Sequence, residues 1–313
     1  MVNQPAFNPN DREQLAVGRY RNRAATDIFE PGSSIKPFVM AAALASGRMH
    51  DDSVIDTAPG FVKVGIKVIE DKHNLGSISL ATILAKSSNV GMAKIALQLQ
   101  PQQIWNTLDA FGFGQVSTSG FPGESAGLLT NYNHWRPIGI ATLGVWLRLV
   151  RNPAAARACL RHARERRRGA TADFPGASIS RRVANACSMS TWRARSCTCW
   201  RSVITPEGTG IQAALAGYRV AGKTGTAWKA TAGGYSNRQV QCRYLPRVVP
   251  ASAPRLAAVV VIDEPGGTKY YGGDVAAPVF AGVLSGALRL MAIAPDDLPP
   301  ETSATLARAE VEP

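Results

Sequence analysis

Residues 144–202 limit what this chain can fold into more than any other part of the sequence. The segment has no sustained period of 3.6 or of two residues, so it predicts neither an amphipathic helix nor a half-buried strand. It holds thirteen Arg, no Lys and two acidic residues, and its run "RERRR" would place like charges on every face of a helix. The apolar, periodic segments that can form a core therefore lie on either side of it.

The net charge of the chain is concentrated in the same segment. Residues 144–202 carry +11 of the total +13, so the remainder is nearly neutral. Clustered Arg can neutralise phosphates, but a charge confined to one aperiodic segment does not predict a nucleic acid partner for the whole chain. Four of the five cysteines lie there as well, and the pair in "SCTCW" has no matching Cys or His pair. The sequence therefore predicts no metal site.

Two segments in the N-terminal part predict helices. "SSIKPFVMAAALASG" predicts a helix that begins near Ser33 and ends at Gly47. "LATILAKSSNVGMAKIALQL" predicts two helical segments separated by "KSSN", where Ser and Asn favour a cap or a turn. We expect exposed polar side chains at that junction.

The C-terminal part predicts two strands and a helix. "GYRVAGKTGTAWKA" predicts a strand, and the β-branched run "RLAAVVVIDEP" is typical of a buried strand. Residues 279–291 predict an apolar helix packed on the sheet, and residues 296–313 predict a mobile tail. The chain begins with a polar segment and contains no run of eighteen apolar residues, so we expect neither a signal peptide nor a membrane anchor.

Three short motifs in a fixed order carry the candidate chemistry: "SSIK", "SSN" and "KTGT". On a helix, residues i and i+3 share a face, so Lys36 can bring its amine to the Ser33 hydroxyl. The helix N-terminus favours negative charge that develops beside this serine. Because an unassisted serine is a weak nucleophile near neutral pH, a desolvated Lys36 is the candidate base.

The other two motifs supply candidates for proton relay and for substrate binding. Ser87 is a candidate relay between the base and a leaving amine, and Asn89 is a candidate ligand of a substrate amide. Lys223 and Thr226 on a strand edge offer a cation and a hydroxyl to a substrate carboxylate. A backbone amide near Thr226 can complete an oxyanion hole with the amide of the nucleophile.

The motifs and their surroundings resemble the transpeptidase domain of class B penicillin-binding proteins, in particular the septal cell-division transpeptidases of Gram-negative bacteria. The resemblance covers roughly residues 1–143 and 203–295 and is carried by "MVNQPAFNPN", "ATDIFEPGSSIKPF", "LAKSSNVGMAKIAL", "GYRVAGKTGTAWK" and "VVVIDEPGGTKYYGGDVAAPVFAGVLSGALR". It implies an α+β fold, the penicillin-recognising serine transpeptidase/β-lactamase-like fold, with an antiparallel sheet flanked by helices. It implies no cofactor.

The function that the resemblance implies is acyl transfer on peptidoglycan. The nucleophile would attack the D-Ala-D-Ala bond of a stem peptide, release D-Ala and pass the acyl group to an amine on a neighbouring strand, and β-lactams would acylate the same serine. The catalytic residues would be Ser33, Lys36, Ser87 and Asn89. The substrate-binding residues would be Lys223, Thr224, Gly225 and Thr226.

The resemblance also implies a location and partners. Septal transpeptidases act at the periplasmic face of the cytoplasmic membrane together with cell-division membrane proteins. A chain made as written, without signal or anchor, is expected to stay in the cytoplasm. The family's first sheet strands, pedestal domain and membrane helix precede the segment that matches "MVNQP", so we expect them to be absent from this chain.

The resemblance is interrupted at residues 144–202 and 238–247. Both segments contain Cys and are rich in Arg, which is the composition expected when a GC-rich coding strand is read out of frame. We therefore predict paired frameshifts within a transpeptidase domain that spans residues 1–295. A divergent surface insertion is the alternative interpretation of the longer segment.

Other functions share some of these features. A β-lactamase or a D,D-carboxypeptidase would carry the same three motifs, and hydrolytic turnover of a β-lactam would distinguish a β-lactamase from an enzyme that forms a stable adduct. A third class is a non-catalytic product, either an inactive remnant or an Arg-rich nucleic-acid binder. Binding of the latter kind would disappear at moderate salt and show no sequence preference.

Overall fold

The structure, a computed structural model, describes residues 2–6, 8, 10–11, 19–116, 121–143, 200–231 and 234–298, and of residues 230–231 and 234–248 it describes the backbone alone. The described helices are α1 (Arg23–Thr26), α2 (Lys36–Ala45), α3 (Leu80–Lys86), α4 (Asn89–Leu97), α5 (Pro101–Ala110), α6 (Pro137–Leu143) and α7 (Gly272–Leu290). The described strands are β1 (Val54–Asp56), β2 (Phe61–Val64), β3 (Lys67–Glu70), β4 (Ser77–Ser79), β5 (Ala221–Thr231), β6 (Gly234–Val249) and β7 (Leu256–Asp263).

The chain divides into two compact units. Unit 1 comprises Met1–Ser79 with Ser88–Trp192, and unit 2 comprises Leu80–Ser87 with Arg193–Pro313. The chain therefore passes from unit 1 to unit 2 and back within the stretch that holds α3.

Helix α2 is the central element of unit 1. Its residues 36–43 are all buried, and most of them are small or apolar. A helix that is apolar on every side is stable only when neighbours enclose it, and α4 and α5 pack against α2. The predicted helix is confirmed, with one difference: its first turn, Gly32–Ile35, is a 3₁₀ helix rather than an α-helix.

Aromatic rings hold the end of α5 against α2. The ring of Phe38 lies edge-on to Phe111, at 5.0 Å between centroids, and to Phe113, at 5.2 Å. Edge-to-face pairs at this separation are a favoured aromatic geometry. Between the two partner rings the chain turns at Gly112, whose φ of +75° is a conformation that other residues rarely adopt.

Four short strands form two antiparallel pairs in unit 1, β1 with β4 and β2 with β3. In the β2–β3 hairpin Val62 lies opposite Ile69. These two side chains and Val64 pack on Ala93 of α4 and Ala141 of α6. The hairpin is therefore attached to the helices by one face, and Glu70 at its end is followed directly by Asp71.

Unit 2 is built on an antiparallel sheet of strand order β5-β6-β7. Strand β5 carries the third motif and lies at one edge of this described sheet, with Lys223 opposite Leu245 and Thr226 opposite Cys242. The predicted strand and its edge position are confirmed for the described residues.

The run "RLAAVVVIDEP" forms β7, but the prediction that it is a buried strand was wrong. None of the β7 residues is fully buried, and exposed and half-buried positions interchange along it. The reason is that β7 lies at the other edge of the described sheet and α7 covers one face, where Leu256, Ala258, Val260 and Ile262 pack against the core. A β-branched run predicts a strand without saying how many of its faces are covered.

Helix α7 packs on the sheet of unit 2, as predicted, and begins seven residues earlier than the sequence indicated. Phe280, Leu284 and Leu288 form its buried face together with Ala276 and Ala277. Among the described residues α7 is the one helix long and apolar enough to cross a membrane by length and composition. Its inner face is occupied by the core of unit 2.

The segments predicted to be aberrant fall largely outside the description. Residues 144–199 are not among the described residues, and residues 238–247 lie within β6, whose side chains there are not described. Of the predicted tail, residues 299–313 also lie outside the described residues. Just before them, the Asp296 carboxylate accepts a hydrogen bond from the Arg219 amide at 2.7 Å.

Candidate active site

The first motif lies in the 3₁₀ turn that leads into α2. Gly32 has a φ of +53°, and the turn Gly32–Ile35 places Ser33 half-buried at its start. Lys36 closes the turn by donating its backbone N–H to the Ser33 carbonyl oxygen. Because a 3₁₀ helix has three residues per turn, residues i and i+3 eclipse each other. Ser33 and Lys36 therefore lie on one side of the turn, as the i, i+3 spacing predicts.

Lys36 is fully buried, and its side-chain amine donates a hydrogen bond of 2.8 Å to Asn89 Oδ1. Burial disfavours the charged amine and lowers the pKa of Lys36 from 10.5 to about 7, while the negative charge of Asp71 acts in the opposite direction. About half of the amine is then neutral at pH 7 and can accept a proton. This is the property that a general base needs at neutral pH.

Asn89, the first residue of α4, uses both ends of its side-chain amide. Its Oδ1 accepts from Lys36, and its Nδ2 donates to the Glu70 carbonyl oxygen at 3.0 Å. Since an ammonium or amine donor requires an oxygen acceptor, the two bonds fix the orientation of the amide. Asn89 thus connects the buried amine to the end of the β2–β3 hairpin.

Asp71 and Ser88 hold the N-terminus of α4; the sequence predicted a cap or a turn at "KSSN", which the Ser88 cap confirms, but did not identify Asp71. Ser88 is the N-cap, accepting from the Gly91 amide at 2.9 Å and donating to Asp71 Oδ2 at 2.5 Å. Asp71 Oδ1 accepts from the amides of Asn89 and Val90. A signal was present, because Ser88 stands at an N-cap position and "VIED" places an acid at a strand end.

Ser87 occupies the turn between α3 and α4, as the sequence predicted for "KSSN". Its φ is +59°, which is uncommon for a residue other than glycine, and its backbone N–H donates to the Leu84 carbonyl oxygen at 3.3 Å. The side chain is half-buried rather than exposed, contrary to the expectation for this junction.

The third motif lies in unit 2 on β5. Lys223 is buried and donates from Nζ to the Thr224 carbonyl oxygen at 3.1 Å. The Thr226 hydroxyl accepts from the amide of Gly272, the first residue of α7, at 3.1 Å. The strand edge is thus tied to the helix N-terminus through Thr226.

Thr209 is a second residue that the sequence reasoning missed. Its hydroxyl lies 2.7 Å from the buried Thr224 hydroxyl, and its amide donates to the Ala85 carbonyl oxygen of α3 at 3.2 Å. A Cβ on Gly273 would lie 2.3 Å from the Thr209 carbonyl oxygen, so only glycine fits there. Thr209 therefore joins α3, β5 and α7 within unit 2, which no local pattern in "EGTG" indicates.

The predicted site residues are divided between the two units. Ser33, Lys36 and Asn89 belong to unit 1, where the 3₁₀ turn and the Lys36–Asn89 hydrogen bond bring them together. The other predicted residues belong to unit 2, and these are Ser87, Lys223, Thr224, Gly225 and Thr226. Within the described parts of the chain, no group of three His, Cys, Asp or Glu side chains is arranged to hold a metal ion.

Comparison with known families shows which family the chain belongs to. The sequence model of the family described as "Penicillin binding protein transpeptidase domain" matches residues 1–146 and 200–285. The chain belongs to the penicillin-binding protein transpeptidase family. The match omits residues 147–199, which lie within the segment where the sequence resemblance is interrupted. Whether a frameshift or an insertion produced that segment stays a prediction.

Individual members of the transpeptidase family are similar over nearly the whole chain. "Probable peptidoglycan D,D-transpeptidase PbpC" of Pseudomonas aeruginosa is 36% identical over 310 residues, which cover 95% of this chain and 52% of that protein. "Peptidoglycan D,D-transpeptidase FtsI" of Escherichia coli K12 is 36% identical over 321 residues, which cover 95% of this chain and 50% of that protein. The chain therefore spans about half the length of these two curated relatives.

A solved transpeptidase structure has the same fold. The apo transpeptidase domain of penicillin-binding protein 3 from Burkholderia pseudomallei superposes with a TM-score of 0.77 and 33% sequence identity, covering 90% of this chain and 84% of that one. The predicted α+β fold, an antiparallel sheet with helices, is confirmed by this similarity and by the family match.

Proposed function

We propose that this chain is the catalytic domain of a serine D,D-transpeptidase that acts on peptidoglycan stem peptides, with Ser33 as the nucleophile. The observation that carries the proposal is the state of Lys36, which is fully buried, has a pKa of about 7 and lies on the same side of the 3₁₀ turn as Ser33. Membership of the transpeptidase family and the names of the curated relatives support the same reaction.

The first half of the reaction is acylation of Ser33. The neutral Lys36 amine accepts the hydroxyl proton while Ser33 Oγ bonds to the carbonyl carbon between the two D-Ala residues. The C–N bond then breaks, and the proton passes to the leaving D-Ala amine, with Ser87 as the proposed relay. Asn89 holds the Lys36 amine and orients the substrate amide.

The second half transfers the acyl group. An amine of a neighbouring stem peptide attacks the ester carbon, and its proton passes to Lys36. The ester C–O bond then breaks, which leaves the new amide, and Ser33 Oγ takes the proton back from Lys36. Water in place of this amine would give a D,D-carboxypeptidase. The acceptor, rather than the acylation step, therefore separates these two activities.

Strand β5 is the proposed substrate-binding strand. An extended peptide can add to the edge of a sheet through backbone hydrogen bonds, and β5 lies at an edge of the described sheet of unit 2. In this proposal Lys223, Thr224, Gly225 and Thr226 bind the terminal carboxylate and an amide of β5 contributes to the oxyanion hole.

A septal role belongs to the same proposal. One relative bears the name FtsI, and the sequence around the three motifs resembles septal transpeptidases. We extend to this chain the corresponding location, the periplasmic face of the cytoplasmic membrane, and cell-division membrane proteins as partners.

The test is intact-mass spectrometry of the purified full chain after incubation with benzylpenicillin. Attack of Ser33 on the lactam carbonyl opens the ring without releasing a fragment, so the expected result is one adduct of the full drug mass. Ser33→Ala should give no adduct. Ser46→Ala is the matched control, because Ser46 caps the C-terminus of α2, the helix that follows Ser33. Its hydroxyl donates to the Ala43 carbonyl oxygen at 2.7 Å.

Three results would contradict parts of the proposal. A folded wild-type chain without adduct contradicts the assignment of the site, and an adduct that persists in Ser33→Ala contradicts the nucleophile. Rapid release of hydrolysed drug would identify a β-lactamase instead. Incubation with a peptide ending in D-Ala-D-Ala and an amine acceptor then measures exchange of the terminal D-Ala against its hydrolysis.

A further inference from the structure

Asp71 is bound to the first turn of the helix that carries Asn89. Its Oδ1 accepts from the backbone amides of Asn89 and Val90, the latter at 3.2 Å, and its Oδ2 accepts from the Ser88 hydroxyl at 2.5 Å. The first amides of a helix have no partner within the helix, and a carboxylate placed there stabilises the helix start. Asp71 therefore determines where α4 begins relative to the β2–β3 hairpin.

The residue fixed by these bonds is also the residue that contacts the proposed base. Asn89 receives the Asp71 bond at its backbone amide and the Lys36 bond at its side-chain oxygen. Its Nδ2 bond to the Glu70 carbonyl oxygen ties it to the residue immediately before Asp71. The turn at residues 70 and 71 thus holds Asn89 from both sides.

We propose that Asp71 is a positioning residue for acylation: by binding the first turn of α4 it holds Asn89 against Lys36, and its negative charge acts on the Lys36 amine. The proposal rests on the proposed function, because it concerns the same lysine base. Asp71 does not contact the substrate in this proposal and acts through Asn89 and Lys36.

The charge of Asp71 works against the effect of burial. Burial lowers the pKa of Lys36 to about 7, and the attraction of Asp71 opposes a further decrease. Without that charge the amine would be neutral over a wider pH range but would be a weaker base. A base is most effective when its pKa lies near the working pH, and Asp71 keeps the pKa of Lys36 close to that pH.

Other charged side chains on the elements packed against α2 have partners elsewhere. Lys94 of α4 donates to the Asp56 carbonyl oxygen at 2.6 Å, and the Asp109 carboxylate of α5 accepts from Gln115 at 2.8 Å. The attraction of Asp71 raises the pKa of Lys36. The contribution of Asp71 can therefore be tested by removing its carboxylate.

The experiment measures the second-order rate constant of acylation by benzylpenicillin between pH 5 and pH 9 with the full chain. Asp71→Asn keeps the shape of the side chain and removes its charge. We expect the rising limb of the pH profile to move to lower pH by about one unit. We also expect the plateau rate to fall about tenfold, because the bonds that hold Asn89 weaken.

Two further variants separate charge from position. Ser88→Ala keeps the charge and removes one hydrogen bond to Asp71, so it should lower the plateau rate without moving the limb. Asp71→Glu should return the limb toward its wild-type position. Asp56→Asn is the matched control, since its carboxylate also accepts a backbone amide bond, from Ala58 at 2.9 Å, and both pH limb and rate should stay at wild type.

The outcomes distinguish this proposal from the proposed function. If the folded wild-type chain is not acylated, the proposed function itself is contradicted. If the wild type is acylated and Asp71→Asn has the same limb and plateau, Asp71 has no positioning role. If Asp71→Asn fails to fold, the other two variants decide. Acylation pH profiles like that of the wild type in both Asp71→Glu and Ser88→Ala would overturn the proposal. A lower plateau rate in Ser88→Ala, with the rising limb of its pH profile unmoved, would support it.

Discussion

The side-chain amine of Lys36 lies 2.8 Å from the side-chain oxygen of Asn89, a residue 53 positions further along the chain. An amide oxygen accepts a hydrogen bond without carrying the negative charge that would keep an amine protonated. The effect of burial therefore prevails, and the pKa of Lys36 falls to about 7.

This pKa predicts the pH dependence of acylation. In the proposed mechanism only the neutral Lys36 amine can accept the Ser33 proton, so the acylation rate should rise with pH, reach half of its maximum near pH 7 and then level off. Stopped-flow measurement with a chromogenic cephalosporin follows this directly. A half-maximum near pH 4 would exclude Lys36 as the titrating group, and one near pH 10 would show that the pKa of Lys36 is not lowered in the folded chain.

Replacing the proposed base, Lys36, by a permanent cation should slow acylation strongly. Arg remains protonated at all accessible pH values, so Lys36→Arg should acylate about 10²–10⁴ times more slowly than the wild type. Lys94→Arg is the control, because Lys94 on α4 is a half-buried lysine that donates to a backbone carbonyl oxygen. Similar losses in both variants would point to a general effect on folding.

Burial of Lys36 should also make folding stability depend on pH. The unfolded chain binds the Lys36 proton up to about pH 10.5 and the folded chain only up to about pH 7, so the free energy of unfolding rises with pH across that window. The full effect is about 5 kcal/mol, from 1.36 kcal/mol per pKa unit. The Lys36→Met variant has no amine to titrate, so its free energy of unfolding lacks this dependence on pH.

Urea unfolding of both proteins checks the stability prediction. Lys36→Met should be the more stable protein at pH 7, and its advantage over the wild type should shrink by about 2 kcal/mol between pH 7 and pH 9. A difference that stays constant over this range would show that Lys36 keeps its ordinary pKa in the folded chain.

The hydroxyl pair of Thr209 and Thr224 should stabilise unit 2. Thr209→Val keeps the shape and leaves the buried Thr224 hydroxyl without this partner, which should lower the free energy of unfolding by about 1–3 kcal/mol. Adding Thr224→Val should recover part of the loss, since both polar groups are then removed. Denaturant unfolding of the wild type, both single variants and the double variant measures the coupling between the two hydroxyls. Losses of unfolding free energy that simply add would contradict a stabilising hydroxyl pair.

Gly273 should tolerate no side chain. A Cβ there would lie 2.3 Å from the Thr209 carbonyl oxygen, so Gly273→Ala should destabilise the chain by about 1–3 kcal/mol. Gly282 on the same helix has nothing within 4 Å of its Cβ position, so Gly282→Ala should stabilise the helix by up to about 1 kcal/mol. Melting temperatures that shift equally would contradict the close approach.

The sequence predicted the elements of the site better than their surroundings. The three motifs, the helix after Ser33, the turn at Ser87 and strand β5 could be predicted because each depends on local propensity and spacing. The complete burial of Lys36 could not, because most lysines in helices face water and only the packing of α4 and α5 encloses this one.

Asp71 and Thr209 show what local patterns cannot supply. Asp71 acts on residues 17 to 19 positions away, and the Thr209 hydroxyl on one 15 positions away, so their roles arise from the path of the chain between them. The prediction that β7 is a buried strand was wrong for a related reason. A run of β-branched residues does not reveal which strand lies next to it.

In the proposed function, the position of β5 at an edge of the described sheet has a consequence for drug resistance. If substrate and β-lactam both pair with the backbone of this strand, they share a feature that ordinary side-chain substitutions leave in place, because every residue except proline keeps its N–H. A proline that removed an amide from the drug would remove it from the stem peptide as well. Escape at β5 must therefore arise from differences in shape between the two ligands, not from loss of the shared bonds.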